Sequence, residues 1–114
     1  MAKSKEAQSK ASRKHYENNR QAMIARAMKF KDELKKSIRQ YIQDLKSSTP
    51  CKDCEVQYPY YVMHFDHLPE FEKKFDIGNS SKWTSMKKVL DEMEKCEIVC
   101  ANCHAERTHR RAVV

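Results

Sequence analysis

From about Ser12 to Lys46 the chain contains neither Gly nor Pro. Its apolar residues recur at Met23, Ile24, Ala27, Met28, Phe30, Leu34, Ile38, Tyr41, Ile42 and Leu45. Steps of three and four place them on one helical stripe, with Lys29, Lys35, Lys36, Arg39 and Lys46 mostly off it. The pattern predicts a basic amphipathic helical segment over 12–48, as one helix or as two with a break at Asn18 and Asn19. A helix of about 25–35 residues would span roughly 40–50 Å. Residues 1–11 lack apolar periodicity and read as a disordered basic tail. The stripe needs a cover: the C-terminal module, a second copy of the chain, or another protein.

Ser47, Ser48, Thr49 and Pro50 end the helical pattern, since Pro50 cannot continue it. A second region, 49–114, follows. Val56 to Phe65 is rich in Tyr and Val and reads as a strand. Alternation puts Tyr60, Val62, His64 and Asp66 on one face and Tyr61, Met63, Phe65 and His67 on the other. Glu70 to Gly78 reads as a charged loop that closes on a turn at Gly78 and Asn79. Ser80 or Ser81 can cap a helix carrying Trp83, Met86, Val89, Leu90 and Met93. Glu97 to Val99 is a short strand, and Asn102 to about Arg110 a last short helix.

Composition changes this picture in two ways. Only 39% of the 114 residues are apolar and 34% are charged, so the core is thin and a metal or disulfide staple is expected. The net charge of +7 is also segregated. Residues 1–49 hold 13 Lys and Arg against five Asp and Glu, whereas residues 50–114 hold ten against 11. A polyanionic partner, nucleic acid above all, explains such a division, although a basic helix also suits a solvated face or an anionic membrane surface. No apolar run approaches the roughly 20 residues of a membrane span. The first ten residues lack the apolar centre of a secretory signal, so a reducing cytoplasm is expected. There, five cysteines favour metal over disulfides.

The cysteines fall as Cys51-x-x-Cys54 and Cys100-x-x-Cys103. Each spacing lets two thiolates reach one ion through a tight turn, and two such pairs close a tetrahedral shell around structural zinc. The redox reading of C-x-x-C needs a thioredoxin-like βαβ setting, which is not seen here. Cys96 stands outside the pairs and reads as a small buried apolar residue.

His64, Asp66 and His67 flank the first knuckle on the chain, and His104 follows the second directly. A carboxylate and a neutral imidazole suit a divalent ion, so Asp66 and His104 are candidate metal ligands. If Asp66 holds the ion, His67 points elsewhere and is suited to act as a base on water. His64 shares the strand parity of Asp66; a third ligand, a phosphate contact and a plain exposed histidine all remain open for it. His109, five residues after His104, falls about 140° off its helical face. Arg107, Arg110 and Arg111 are candidate phosphate contacts, as are Lys29, Lys35, Lys36 and Arg39 on the long helix.

With Cys51-x-x-Cys54, Phe65-Asp66-His67 and Cys100-x-x-Cys103-His104 in this order, followed by Arg107 and Thr108, the chain resembles the zinc-bearing HNH nuclease family. The run from Glu94 to His104 looks like the second half of a subgroup common in phage and bacteria. The basic leader from Arg13 to Arg20 is similar to leaders in that subgroup. The resemblance implies a ββα-metal module behind a long basic helix, an α+β architecture. It also implies Mg²⁺ or another divalent ion held at Asp66 and His104, with His67 deprotonating water. The chain departs from the family at the middle position, about nine residues before the last histidine, where Lys95 replaces the usual Asn. That Asn usually anchors the loop bearing the base, and a Lys side chain cannot accept hydrogen bonds. The nearby Asn102 lies inside the knuckle.

The leading expectation is a metal-dependent DNA endonuclease hydrolysing phosphodiester bonds, acting in the cytoplasm (of a bacterial host, if phage-encoded). A non-catalytic zinc-ribbon nucleic-acid-binding protein is the alternative, and a helix-mediated scaffold the third. Asp66 and His67 with His104 discriminate, since a pure binder has no need of them.

Overall fold

The computed structural model describes residues 5–113, with side chains described from Ser12 onward. Helix α1 runs Lys5–Ser48, β1 Met63–His67, α2 Met86–Met93, β2 Cys96–Cys100 and α3 Ala101–Ala112. The architecture is α+β, helices with one small two-stranded sheet. The chain divides into two compact units, Met1–Glu33 and Leu34–Val114. That division falls inside α1.

In the first unit α1 is helical from Lys5, ahead of the expected start at Ser12. Within the tail expected to be disordered over 1–11, the described residues from Lys5 on are helical, and residues 1–4 lie outside the described residues. No break occurs at Asn18 and Asn19. Ala, Lys, Arg, Gln, Glu and Met dominate this stretch and favour helix intrinsically. Its described side chains are all exposed, Tyr16, Met23, Ile24, Met28 and Phe30 among them.

In the second unit the same periodicity is put to use. Ile38 and Ile42 are buried with Ile77, Trp83, Val89 and Met93, and Leu34, Leu45, Phe65 and Phe75 pack around them. Trp83 brings its own polar group into this core and satisfies it, its Nε1 donating to Ile77 O at 2.8 Å. The cover of the stripe from Leu34 on is thus the C-terminal module. A second cluster, Cys51, Met63, Val99 and Cys100, lies under the knuckle.

Strand β1 is later and shorter than the expected 56–65. Residues 60–62 form a 3-10 turn after Pro59, and only Met63–His67 pairs. Strand pairing, not β-propensity, sets the limits: β1 runs antiparallel to β2, Met63 opposite Cys100, Asp66 opposite Glu97 and His67 opposite Cys96. The helix cap is also displaced. Ser80–Lys82 is a separate 3-10 turn closed by Asn79, and Ser85 Oγ caps α2 by accepting from Lys88 N–H. No described helix is long and apolar enough to cross a membrane.

Candidate functional site

The first C-x-x-C unit is shaped by main-chain bonds. Cys51 N–H donates to Val56 O and Glu55 N–H to Cys51 O, both at 2.9 Å, while Lys52 N–H ties the turn to Ile98 O of β2. Glu55 takes a positive φ of 62° to complete it. The second unit straddles the junction of β2 and α3, where Cys100 caps the helix with its own sulfur, accepting from Cys103 N–H at 3.4 Å. Cys100 N–H in turn donates to Cys51 Sγ at 3.3 Å.

The four sulfurs of Cys51, Cys54, Cys100 and Cys103 converge within 4.8 Å of one another, positioned to hold a metal ion. Cys54 Sγ and Cys100 Sγ are 3.9 Å apart. Tetrahedral bonds of about 2.3 Å to zinc would set sulfurs about 3.8 Å apart, so the set fits such an ion. Burial works against a thiolate at Cys51, but main-chain N–H groups bring it down to about 6. The neighbouring Cys100 sulfur and burial push Cys103 up to about 12. Four thiolates so close repel one another unless a cation sits among them. Cys96 stands apart, half-buried, its thiol pushed up to about 12 by burial and by Glu92.

Asp66 is 3% exposed. Its Oδ1 accepts from Arg111 Nη1 and its Oδ2 from Arg111 Nη2 and Arg107 Nη1, all at 2.8 Å. Burial opposes ionisation, yet Arg111, Arg107 and His104 hold this carboxyl below the usual carboxylate range. His104, in the first turn of α3, brings Nε2 to 3.5 Å from Asp66 Oδ1. A carboxylate has about four acceptor positions, and three are taken. The one left is on Oδ1, the oxygen that faces His104. Asp66 and His104 thus bring together one carboxylate and one imidazole, donor types that divalent ions take.

His64 does not complete that pair. Its Nδ1 lies 3.0 Å from His104 Nδ1, on the side of the ring away from Asp66. Among the described residues, the cysteines are the one set of three or more close metal-ligating side chains. Thr108 bonds back to His104 O, and His109 is exposed in the last turn of α3.

His67 projects from the other face of β1, with Nε2 3.1 Å from Glu92 Oε1. Lys95 lies beside them. The loop that follows β1 is held by Lys95 itself: its carbonyl accepts from Leu68 N–H at 2.9 Å and its Nζ donates to Glu72 O at 2.8 Å. One carbonyl and one ammonium of Lys95 thus fix this loop at two points.

The expected phosphate contacts separate into three groups. The Arg107 guanidinium is engaged by protein carboxylates. Nε and Nη2 fork onto Asp53, each at 2.6 Å, and Nη1 meets Asp66 and also Glu97 at 3.2 Å. Arg111 forks onto Asp66, and Arg39 lies over the Trp83 ring at 5.6 Å. Lys35 is half-buried, while Lys29, Lys36 and Arg110 are exposed. Sequence reasoning missed Glu92 and Asp53. Glu92 had a signal, a carboxylate three residues from Val89 on the inward arc of α2. Compared with family models, curated proteins and solved structures, the chain finds no match.

Proposed function

We propose that the chain is a metal-dependent DNA endonuclease of the HNH type, hydrolysing phosphodiester bonds at a ββα-metal site. The observation that carries this reading is the meeting of Asp66 Oδ1 and His104 Nε2 at 3.5 Å, directly beside the cysteine knuckle. Zinc is the ion that four thiolates suit, and it is structural. Asp66 and His104 hold Mg²⁺ or another divalent ion, which when bound stabilises charge on the phosphate and the leaving oxygen. His67 takes a proton from the attacking water at Nδ1, the nitrogen that Glu92 leaves free. His64 keeps the His104 ring turned toward Asp66. Lys29, Lys36 and Arg110 supply backbone affinity from exposed positions.

A plasmid-nicking assay with Mg²⁺, Mn²⁺ or EDTA tests this. His67→Ala is expected to keep zinc and DNA affinity and to lose a factor of about 10²–10⁴ in turnover, unrelieved by added metal. Asp66→Ala and His104→Ala also lose cleavage, but raised Mn²⁺ restores part of it. Replacing Lys29, Lys36 and Arg110 with Gln lowers the salt dependence of binding by roughly one unit of slope per lost contact, with turnover on saturating DNA retained.

A non-catalytic zinc-bearing nucleic-acid-binding protein is the second reading. It is favoured by the shielding of His67, whose side chain is only 14% exposed. A wild-type chain that holds zinc, binds DNA and cuts nothing in any divalent metal would establish it.

A further inference from the structure

Glu92 is a buried carboxylate of the second unit to which the reaction above gives no step of its own. It sits on α2 at 1% exposure. Burying a carboxylate is costly unless its acceptor positions are filled, and here they are. Oε1 accepts from Lys74 N–H at 3.0 Å and faces His67 Nε2 at 3.1 Å, while Oε2 accepts from Lys95 Nζ at 3.0 Å. Burial opposes the charge, but the Lys74 N–H, Lys95 and His67 hold the carboxyl below its usual range. An ionised carboxylate is an acceptor only. It can meet an imidazole nitrogen at this distance only if that nitrogen carries the proton.

We propose that Glu92 is a positioning residue for His67: it keeps the ring proton on Nε2 and turns the Nδ1 lone pair toward water. This rests on the nuclease reading of the same site. Among the described residues no buried side-chain nitrogen or oxygen lacks a partner, and no protein group takes His67 Nδ1, so that nitrogen meets solvent. The carboxylate is itself fixed from two sides, by the Lys74 main chain and by Lys95. Loop, helix and base are therefore one rigid assembly. A positioned carboxylate also steadies the imidazolium that forms when His67 accepts the proton of water, and a neutral amide does not. The proton passes from water to Nδ1, the hydroxide oxygen bonds phosphorus, and the bond to the leaving oxygen breaks.

The experiment combines kinetics with nitrogen NMR on the zinc-loaded full chain. In wild type the His67 ring, assigned by its absence from His67→Gln, shows the Nε2–H tautomer. In Glu92→Gln the tautomers mix, kcat falls by at least about 10-fold, within the about 10²–10⁴-fold worth of a general base, and KM and zinc content hold. A merely structural Glu92 predicts the reverse, a lower melting temperature with kcat and tautomer unchanged. An Nδ1–H tautomer in wild type overturns the proposal whether or not Glu92→Gln folds. If wild type cuts and Glu92→Gln turns over at the same rate, the positioning role alone falls. If wild type cuts nothing, the nuclease reading falls and the role goes with it.

Discussion

Arg107→Lys is the substitution that the charge network makes most informative. It keeps the positive charge and most of the stem, yet a single ammonium cannot span the three carboxylates that the guanidinium joins. Two bonds to Asp53, one to Asp66 and one to Glu97 are at stake. Asp53 and Glu97 side chains are 28% and 27% exposed, so their bonds are screened and count for about 1 kcal/mol or less each. Asp66 is buried, but the Arg111 fork stays on it, so no charge is stranded. Lysine recovers one or two of the four bonds. The net loss is about 2 kcal/mol, against about 3–4 kcal/mol for Arg107→Ala, near the low end for breaking a buried pair. For a unit of this size that lowers the melting temperature by roughly 8–16 °C for the lysine variant. Circular dichroism melts at saturating zinc read it. A double-mutant cycle with Asp53→Asn isolates the fork, and a coupling of at least about 1 kcal/mol is expected. A lysine variant within about 0.5 kcal/mol of wild type, the scatter of ordinary surface substitutions, refutes the reasoning.

Removing the structural metal with a strong chelator should unfold the Leu34–Val114 unit, because metal binding is folding energy for a core this small, while part of the α1 helical signal survives; a fully folded metal-free unit in near-ultraviolet spectra would contradict this. Glu55→Gly should stabilise by about 1 kcal/mol, since φ = 62° costs a non-glycine residue roughly that much, and denaturant titration reads the gain. Asp53 is held below the usual carboxylate range by Arg107, so its contribution is complete above the unfolded value of about 3.9 and drains as pH falls through the lower folded value. Melting temperature should thus fall more steeply below about pH 4 in wild type than in Asp53→Asn, and parallel profiles would show that Asp53 carries no such linkage.

The cysteine set was legible because C-x-x-C spacing encodes a local turn, and two such turns share one ion whatever lies between them. The helical stripe from Leu34 to Leu45 was legible for the same reason, a local period that maps onto one face. Limits set by distant partners were not. Val, Tyr and Tyr before Met63 have strand propensity, but β2 offers pairing only for Met63–His67, and Pro59 forces a turn. Arg107 reads as a phosphate contact from its residue type and its place after His104 alone. That Asp53, Asp66 and Glu97 surround it depends on the register of β1 with β2, which residue types alone do not show. Glu92 was obscured by the habit of reading glutamate on a helix as solvent-facing.

The knuckle joins residues that leave the ribosome at different times. Cys54 and Cys100 are 46 positions apart, and at about 5–20 residues per second the second pair follows the first by roughly 2–9 s. Through that interval Cys51 and Cys54 form half a site, two thiols with no partners to close a shell. β2 and His104 arrive with the second pair, so zinc capture, strand pairing and the meeting of Asp66 with His104 fall within one short stretch of synthesis. A nascent chain halted before Cys100 carries the basic helix but neither the clamp nor the carboxylate–imidazole pair. The basic helix is thus made first, and the part proposed to cut is completed last.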